Sequence, residues 1–363
     1  MSNLCLGLDL VKKKFKDVIY PMIIRSKAPL RLGLAGGGTD VSPYCDLYGG
    51  CVLNVTISMY AYCTIKPSND GKIVFDATDL KERVETHTQD TLDLDGSLLL
   101  HKSTYNKIVR KFAISKPLSF EMTTYSDSPA GSGLGSSSAM VVAMIKAYME
   151  WLNLPIEEYE MAQLAYEIER EDVGLPGGKQ DQYAATFGGF NFVEFFSNSI
   201  VVNPLRLKTW IKNEIENSLI LYYTGASRVS PKIIEEQIKN THENNIDSVT
   251  AMHETKQSVF VMKEAILKGD FVGFAKSLRS GWDAKKRMSN AITNSSIDTI
   301  HDLALKNGGY AAKISGAGGG GFMMILCDPK KRYGLIEILE KTDGKVVSCC
   351  ITEKGAQGWT IYQ

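Results

Sequence analysis

The chain has 363 residues, 44% hydrophobic and 23% charged, an ordinary globular balance in a length sufficient for two cores. Its 41 basic and 41 acidic residues cancel, which speaks against a nucleic-acid binder, and no apolar run approaches the roughly 20 residues needed to span a bilayer. The seven cysteines, odd in number and without a C-x-x-C, fit a reduced cytoplasmic chain better than a disulfide framework, and the five scattered histidines form no zinc motif.

Residues 1–21 begin apolar and run into Lys12-Lys13-Lys14, the reverse of signal-peptide order, and read as an extension before the globular pattern at Met22. Residues 23–29 read as a strand stopped by Pro29, with 30–35 a second extended piece. Strands are expected over 51–65, 72–77 and 118–125, rich in Val, Ile, Thr and aromatics. A helix over 136–152 starts on serine and ends before Asn153-Leu154-Pro155. A second helix is expected over 155–172, with apolar positions at Met161, Leu164, Ala165 and Ile168. After a strand at 188–193 the character changes. Strand 218–223 is followed by helices over 231–239, 249–268, 271–288 and 297–306. Strands over 310–314 and 322–326 flank a glycine loop, and two more fall at 345–351 and 358–362. The organisation expected is an α+β domain over 22–205 and a mixed α/β domain over 206–363.

Three glycine-rich segments carry the chemical signal. The first is Ser128-Pro129-Ala130-Gly131-Ser132-Gly133-Leu134-Gly135-Ser136-Ser137-Ser138, opening directly into a helix. Alternating glycines let several backbone N–H groups face one anion, a helix N-terminus adds its positive end, and serine hydroxyls can bind phosphate or a metal. A plain strand–helix turn needs one glycine and one serine cap, not three of each. No G-K-[ST] follows, so this is not a P-loop. The second segment, Ser315-Gly316-Ala317-Gly318-Gly319-Gly320-Gly321, satisfies G-x-G-x-x-G but precedes a strand, which weakens a nicotinamide-dehydrogenase reading. Its backbone must approach either a ligand or a neighbouring loop. The third runs from Lys27 to Asp40. Arg31 in an apolar strand wants an anionic partner. Asp40 after Gly36-Gly37-Gly38-Thr39 either ends a turn or accepts from substrate hydroxyls. A fourth stretch offers Glu169 among helix acids and Asp181 after Gly177-Gly178-Lys179-Gln180, where an acid is a turn or helix cap or a base.

In this combination the chain resembles the GHMP kinases, through Ala28-Pro29-Leu30-Arg31, Pro129 to Ser137, and Ser315-Gly316-Ala317-Gly318-Gly319. The resemblance covers residue 22 to the C-terminus. Within the family, residues 23–40 look most like the kinases of D-glycero-D-manno-heptose 7-phosphate, which phosphorylate the anomeric oxygen for nucleotide-activated heptose synthesis; fucokinases are less close. It implies an N-terminal domain like the second domain of ribosomal protein S5 and a ferredoxin-like C-terminal domain, with ATP and sugar meeting between them. It further implies that Gly131 to Ser138 hold the triphosphate, that Ser137 and Glu169 bind Mg²⁺, and that Asp181 and Arg31 attend the acceptor hydroxyl. Gly37, Gly38, Thr39 and Asp40 would bind the sugar, with Gly316, Ala317, Gly318 and Gly319 closing over it. Lys179 and Arg228 are the cations expected for a substrate phosphate, against a reading as ordinary surface charges; Lys285 and Lys286 are weaker candidates that read more as a solvated helix face. A fucokinase-like enzyme for an unphosphorylated sugar and a sugar- and ATP-binding regulator without turnover are the alternatives.

Overall fold

The structure, a computed structural model, describes residues 22–225 and 230–362. The expected extension over 1–21 and the candidate Arg228 lie outside the described residues.

Strand β1 (Met22–Ala35) runs on through Pro29 instead of stopping there. Proline has no N–H to give a ladder, and the chain absorbs it as a register shift against β2 (Gly50–Pro67), with Pro29 opposite Tyr60 and Leu30 opposite Ile57. The remaining strands are β3 (Lys72–Ala77), β4 (Glu82–His87), β5 (Phe120–Ser126), β6 (Phe190–Phe195), β7 (Ile200–Pro204), β8 (Leu219–Tyr223), β9 (Gly309–Ile314), β10 (Phe322–Cys327), β11 (Lys345–Val347) and β12 (Gln357–Tyr362). The first sheet has the order β12-β1-β2-β5-β3-β4, and β6 with β7 pairs to the other half of β2. Its neighbours are antiparallel except β3 and β5. The second sheet, β11-β8-β10-β9, is antiparallel throughout.

The helix Ser136–Leu152 lies on β1 and β2 and is apolar nearly all round, with Ala139, Val141, Val142, Ala143, Met144, Ile145, Ala147 and Tyr148 buried. Such a helix is stable only inside a core. The helix Ile246–Lys268 packs on β1 and β2 of the first sheet, and Phe271–Lys286 packs against it and on both β1 and β9, so the pair bridges the two sheets. Apolar packing therefore runs unbroken from Leu30 and Leu32 through Val259, Met262, Phe274 and Leu278 to Leu221, Met324 and Leu326. This is the mixed helix-and-sheet architecture expected. A division at 205/206 falls between the sheets, but β12 crosses it. It returns to the first sheet, where Ile23 pairs with Ile361 and Lys27 with Gln357. The helix expected over 155–172 begins at Glu158, three residues after Pro155, and its last turn, Ile168–Asp172, is wound as a π-turn. Among the described residues no helix is long and apolar enough to cross a membrane.

Ending the chain at Ala356 removes β12 and bares the N–H and C=O groups of β1. The truncated chain is expected to unfold at lower denaturant and to aggregate as its concentration rises. An unchanged unfolding midpoint would show that β12 adds nothing to the fold.

Candidate active site

The turn before the helix Ser136–Leu152 follows from its sequence. Gly131, Gly133 and Gly135 take φ of 74°, 83° and 75°, which side chains adopt only with strain. The alternation sorts the loop into two faces. Gly131, Gly133, Gly135, Ser136 and Ser137 border a cleft of about 520 Å³, while Ser132, Leu134 and Ser138 are shut beneath it. The helix start and the loop amides thus face the same space, an arrangement suited to phosphate.

Arg31, on β1, is the hub. Its Nε donates to Asp181 Oδ1 at 2.7 Å, and its Nη1 donates to the Gly133 carbonyl at 2.5 Å and to Ser315 Oγ at 3.2 Å. The guanidinium side chain is 4% exposed and the Asp181 side chain 21%, so the carboxylate is the more open of the two. Asp181 lies in the first turn of the helix Gln180–Phe187 but caps nothing there. Asp40 is buried nearby and accepts from the N–H groups of Gly38 and Gln180, both at 3.1 Å. Burial, and then the charge of Asp181, raise its pKa, against the pull of those N–H donors.

Glu169 sits in the π-turn, wholly buried. It accepts from Ser137 Oγ at 2.8 Å, Ser138 Oγ at 2.6 Å and Gln182 Nε2 at 2.5 Å. Among the described residues no group of three or more His, Cys, Asp or Glu gathers as a metal cluster. A cation here would find one carboxylate beside the Ser137 hydroxyl, the one of the two that borders the cleft. That sparse set suits Mg²⁺, which fills its shell with phosphates and water.

The loop 315–321 answers the choice left open by its sequence with both alternatives. Phe322 N donates to the Ser132 carbonyl at 3.0 Å, and Gly319 N to the Ile292 carbonyl at 2.8 Å, so the loop packs on its neighbours. Gly316 and Ala317 nevertheless border the cleft. Beneath it Lys313 is buried and gives its ammonium hydrogens to the carbonyls of Gly33 at 2.9 Å and Leu34 at 3.1 Å. Burial pushes its pKa well down, helped by Lys285 and Arg31. Lys285, expected on a solvated face, is buried and borders the cleft. Burial and the Arg31 charge lower its pKa to about 8, while Asp40 and Asp181 pull it up. Lys286 does face outward, paired with Asp283 at 3.0 Å.

Two other expected positions lie differently. Thr39 is fully buried and spends its hydroxyl on the carbonyls of Gly36 and Cys51, both at 2.8 Å, which fixes the glycine turn. Lys179 is absent from the cleft wall. It meets Asp46 at 3.5 Å and stands 5.7 Å over the Tyr166 ring. The sequence reading also missed Gln180, Gln237 and Arg170, which border the cleft, and an apolar side pocket of about 270 Å³. That pocket, walled by Leu80, Leu98, Leu100 and Met140, opens beside Ala130, Ser136 and Ser137.

Residues 100–189 match the family described as "GHMP kinases N terminal domain", and residues 262–344 match "GHMP kinases C terminal". The chain is 51% identical to a D-glycero-alpha-D-manno-heptose 7-phosphate kinase from Campylobacter jejuni, over 93% of this chain and 99% of that one. It belongs to the GHMP kinases. A solved structure titled as a D-glycero-D-manno-heptose 1-phosphate kinase from Bacteroides thetaiotaomicron superposes with a TM-score of 0.81 at 45% identity, covering 94% of this chain and 100% of that one. An L-fucokinase/L-fucose-1-P guanylyltransferase from Bacteroides fragilis is 27% identical over 94% of this chain, which spans 39% of that longer protein. Seen as a GHMP kinase, the chain brings all three of its glycine segments to one cleft.

Gly133 is where two of those segments touch. A Cβ there would stand 2.4 Å from the Ser315 carbonyl oxygen, at a φ that disfavours any side chain. Gly133→Ala is expected to destabilise the protein by about 2–4 kcal/mol. Urea unfolding of the variant within error of the parent would show that the loops need not dock.

Proposed function

We propose that this GHMP kinase transfers the γ-phosphoryl group of ATP to the anomeric hydroxyl of D-glycero-D-manno-heptose 7-phosphate. The observation that carries the reading is the Arg31–Asp181 pair at 2.7 Å, standing between a phosphate-type loop and the buried Asp40 within one cleft. The kinship to heptose phosphate kinases at 45–51% identity supports the choice of sugar.

The residues divide the work as follows. Amides of residues 131–137 and the start of the helix Ser136–Leu152 receive the phosphates. The apolar side pocket beside Ala130 takes the adenine. Asp40, with two lone-pair positions committed to Gly38 and Gln180, presents the rest to sugar hydroxyls. Ser137 and Glu169 would hold Mg²⁺, which when bound offsets charge on the β- and γ-phosphates. Asp181 orients the acceptor O–H and takes its proton as the oxygen bonds to phosphorus. The bond to ADP breaks, and its electron pair leaves on ADP. Arg31 holds Asp181 in place through its Nε hydrogen bond.

Incubation with ATP, Mg²⁺ and D-glycero-D-manno-heptose 7-phosphate is expected to give a bisphosphate whose new phosphorus couples to the anomeric proton by NMR. Asp181→Asn should bind ATP normally and lose about 10²-fold in kcat. Efficient turnover of free fucose without preference for the 7-phosphate would overturn the substrate. Parental turnover in Asp181→Asn would remove Asp181 as the base.

A further inference from the structure

Lys285 stands on the helix Phe271–Lys286, in the same buried stripe as Phe274, Leu278 and Trp282. Its Nζ donates to the Gly316 carbonyl at 2.5 Å, and a Cβ built on Gly37 would lie 3.4 Å from it. It therefore sits where the glycine segments 27–40 and 315–321 meet, on the wall that also holds Arg31 and Asp181. Arg31 is neutralised by contact with Asp181. Lys285, by contrast, makes no ion pair among the described residues, and its acceptor there is a neutral carbonyl. An ammonium buried with so little compensation is costly to keep, and an anionic ligand relieves that cost.

We propose that Lys285 is a catalytic residue whose ammonium binds the oxygens of the phosphoryl group in transit between ATP and the sugar. The inference rests on the phosphoryl-transfer reading above and adds a residue to it. Lys285 keeps its protons throughout and donates hydrogen bonds. The acceptor proton goes to Asp181, and the electron pair of the broken bond goes to ADP. The same chemistry could serve the sugar's own phosphate. That group lies at the far end of the heptose from the anomeric oxygen, whereas Lys285 shares its stretch of the cleft with Arg31 and Asp181. The charged groups around it are Arg31 from β1, Asp40 from the glycine turn, Asp181 from the helix Gln180–Phe187, and Lys313 from β9.

The charged form is present below its folded pKa of about 8 and is lost as pH rises through it. The kcat/KM of the parent enzyme should therefore fall on the alkaline side near pH 8. Because a bound anion favours the ammonium, the same limb in kcat should lie higher. Lys285→Met should lose about 10²–10³-fold in kcat, keep both KM values within about threefold, and lack the limb. Lys285→Arg should regain part of the rate with the limb moved upward.

Parental kcat and pH profile in Lys285→Met would overturn the proposal. So would a raised KM for heptose 7-phosphate with kcat intact, since that outcome assigns Lys285 to the sugar's phosphate. Should Lys285→Met fail to fold, the parent protein decides through acylation of Lys285, mapped by mass spectrometry. Protection by AMP-PNP with Mg²⁺, and none by heptose 7-phosphate alone, is expected; the reverse pattern overturns it. Failure of the parent to phosphorylate any sugar phosphate would sink the functional reading, and the AMP-PNP protection would still test Lys285.

Discussion

A guanidinium cannot lose its water without finding acceptors, and Arg31 finds them on three separate segments: Asp181, the Gly133 carbonyl and Ser315. One buried side chain thus ties β1, the loop before the helix Ser136–Leu152, the helix Gln180–Phe187 and the loop after β9 into a single corner. The close backbone contacts follow from this. Arg31 N donates to the Leu134 carbonyl at 3.0 Å, and Phe322 N to the Ser132 carbonyl at 3.0 Å, approaches that leave no room for side chains at Gly133 or Gly316. Fold and site depend on the same bonds, because the junction of the glycine segments is also the wall of the cleft.

The charge distribution in that corner is close to balance yet unevenly paired. Asp181 and Arg31 satisfy one another. Asp40 is held by backbone N–H groups and Lys313 by two carbonyls, while Glu169 accepts from two hydroxyls and an amide and has Arg170 Nη2 at 3.9 Å. Groups held chiefly by neutral dipoles stay available to a ligand's charge, and buried groups of this kind act strongly. A site of this kind needs little rearrangement when a polyphosphate and a polyol enter it, the positioning that phosphoryl transfer demands.

Much of this was legible in the chain because glycine and the β-branched residues state backbone geometry directly. The three glycine segments, the helix Ser136–Leu152 and strands such as β10 could be placed from residue type alone. Polar elements could not. The helix Leu99–Lys111 buries His101, Lys102, Ser103 and Thr104, and β4, Glu-Arg-Val-Glu-Thr-His at a sheet edge, has no apolar alternation to show. Lys285 was hidden by its type, since lysine reads as solvated. Its spacing of three from Trp282 and seven from Leu278 was the available signal that it belongs to the buried face. Thr39 was misjudged because a hydroxyl near a site can as well staple backbone as meet a ligand. The return of β12 to β1 is a long-range pairing that no local pattern encodes.

The central claim is that Arg31 and Asp181 work as one unit at the point of transfer. A double-mutant cycle on kcat/KM with Arg31→Met, Asp181→Asn and the pair tests it directly. If the guanidinium acts through the carboxylate, the double variant falls no further than the worse single one, leaving a coupling of about 2 kcal/mol or more. Losses that simply add would mean that the two residues act independently, and the account of the site would be wrong.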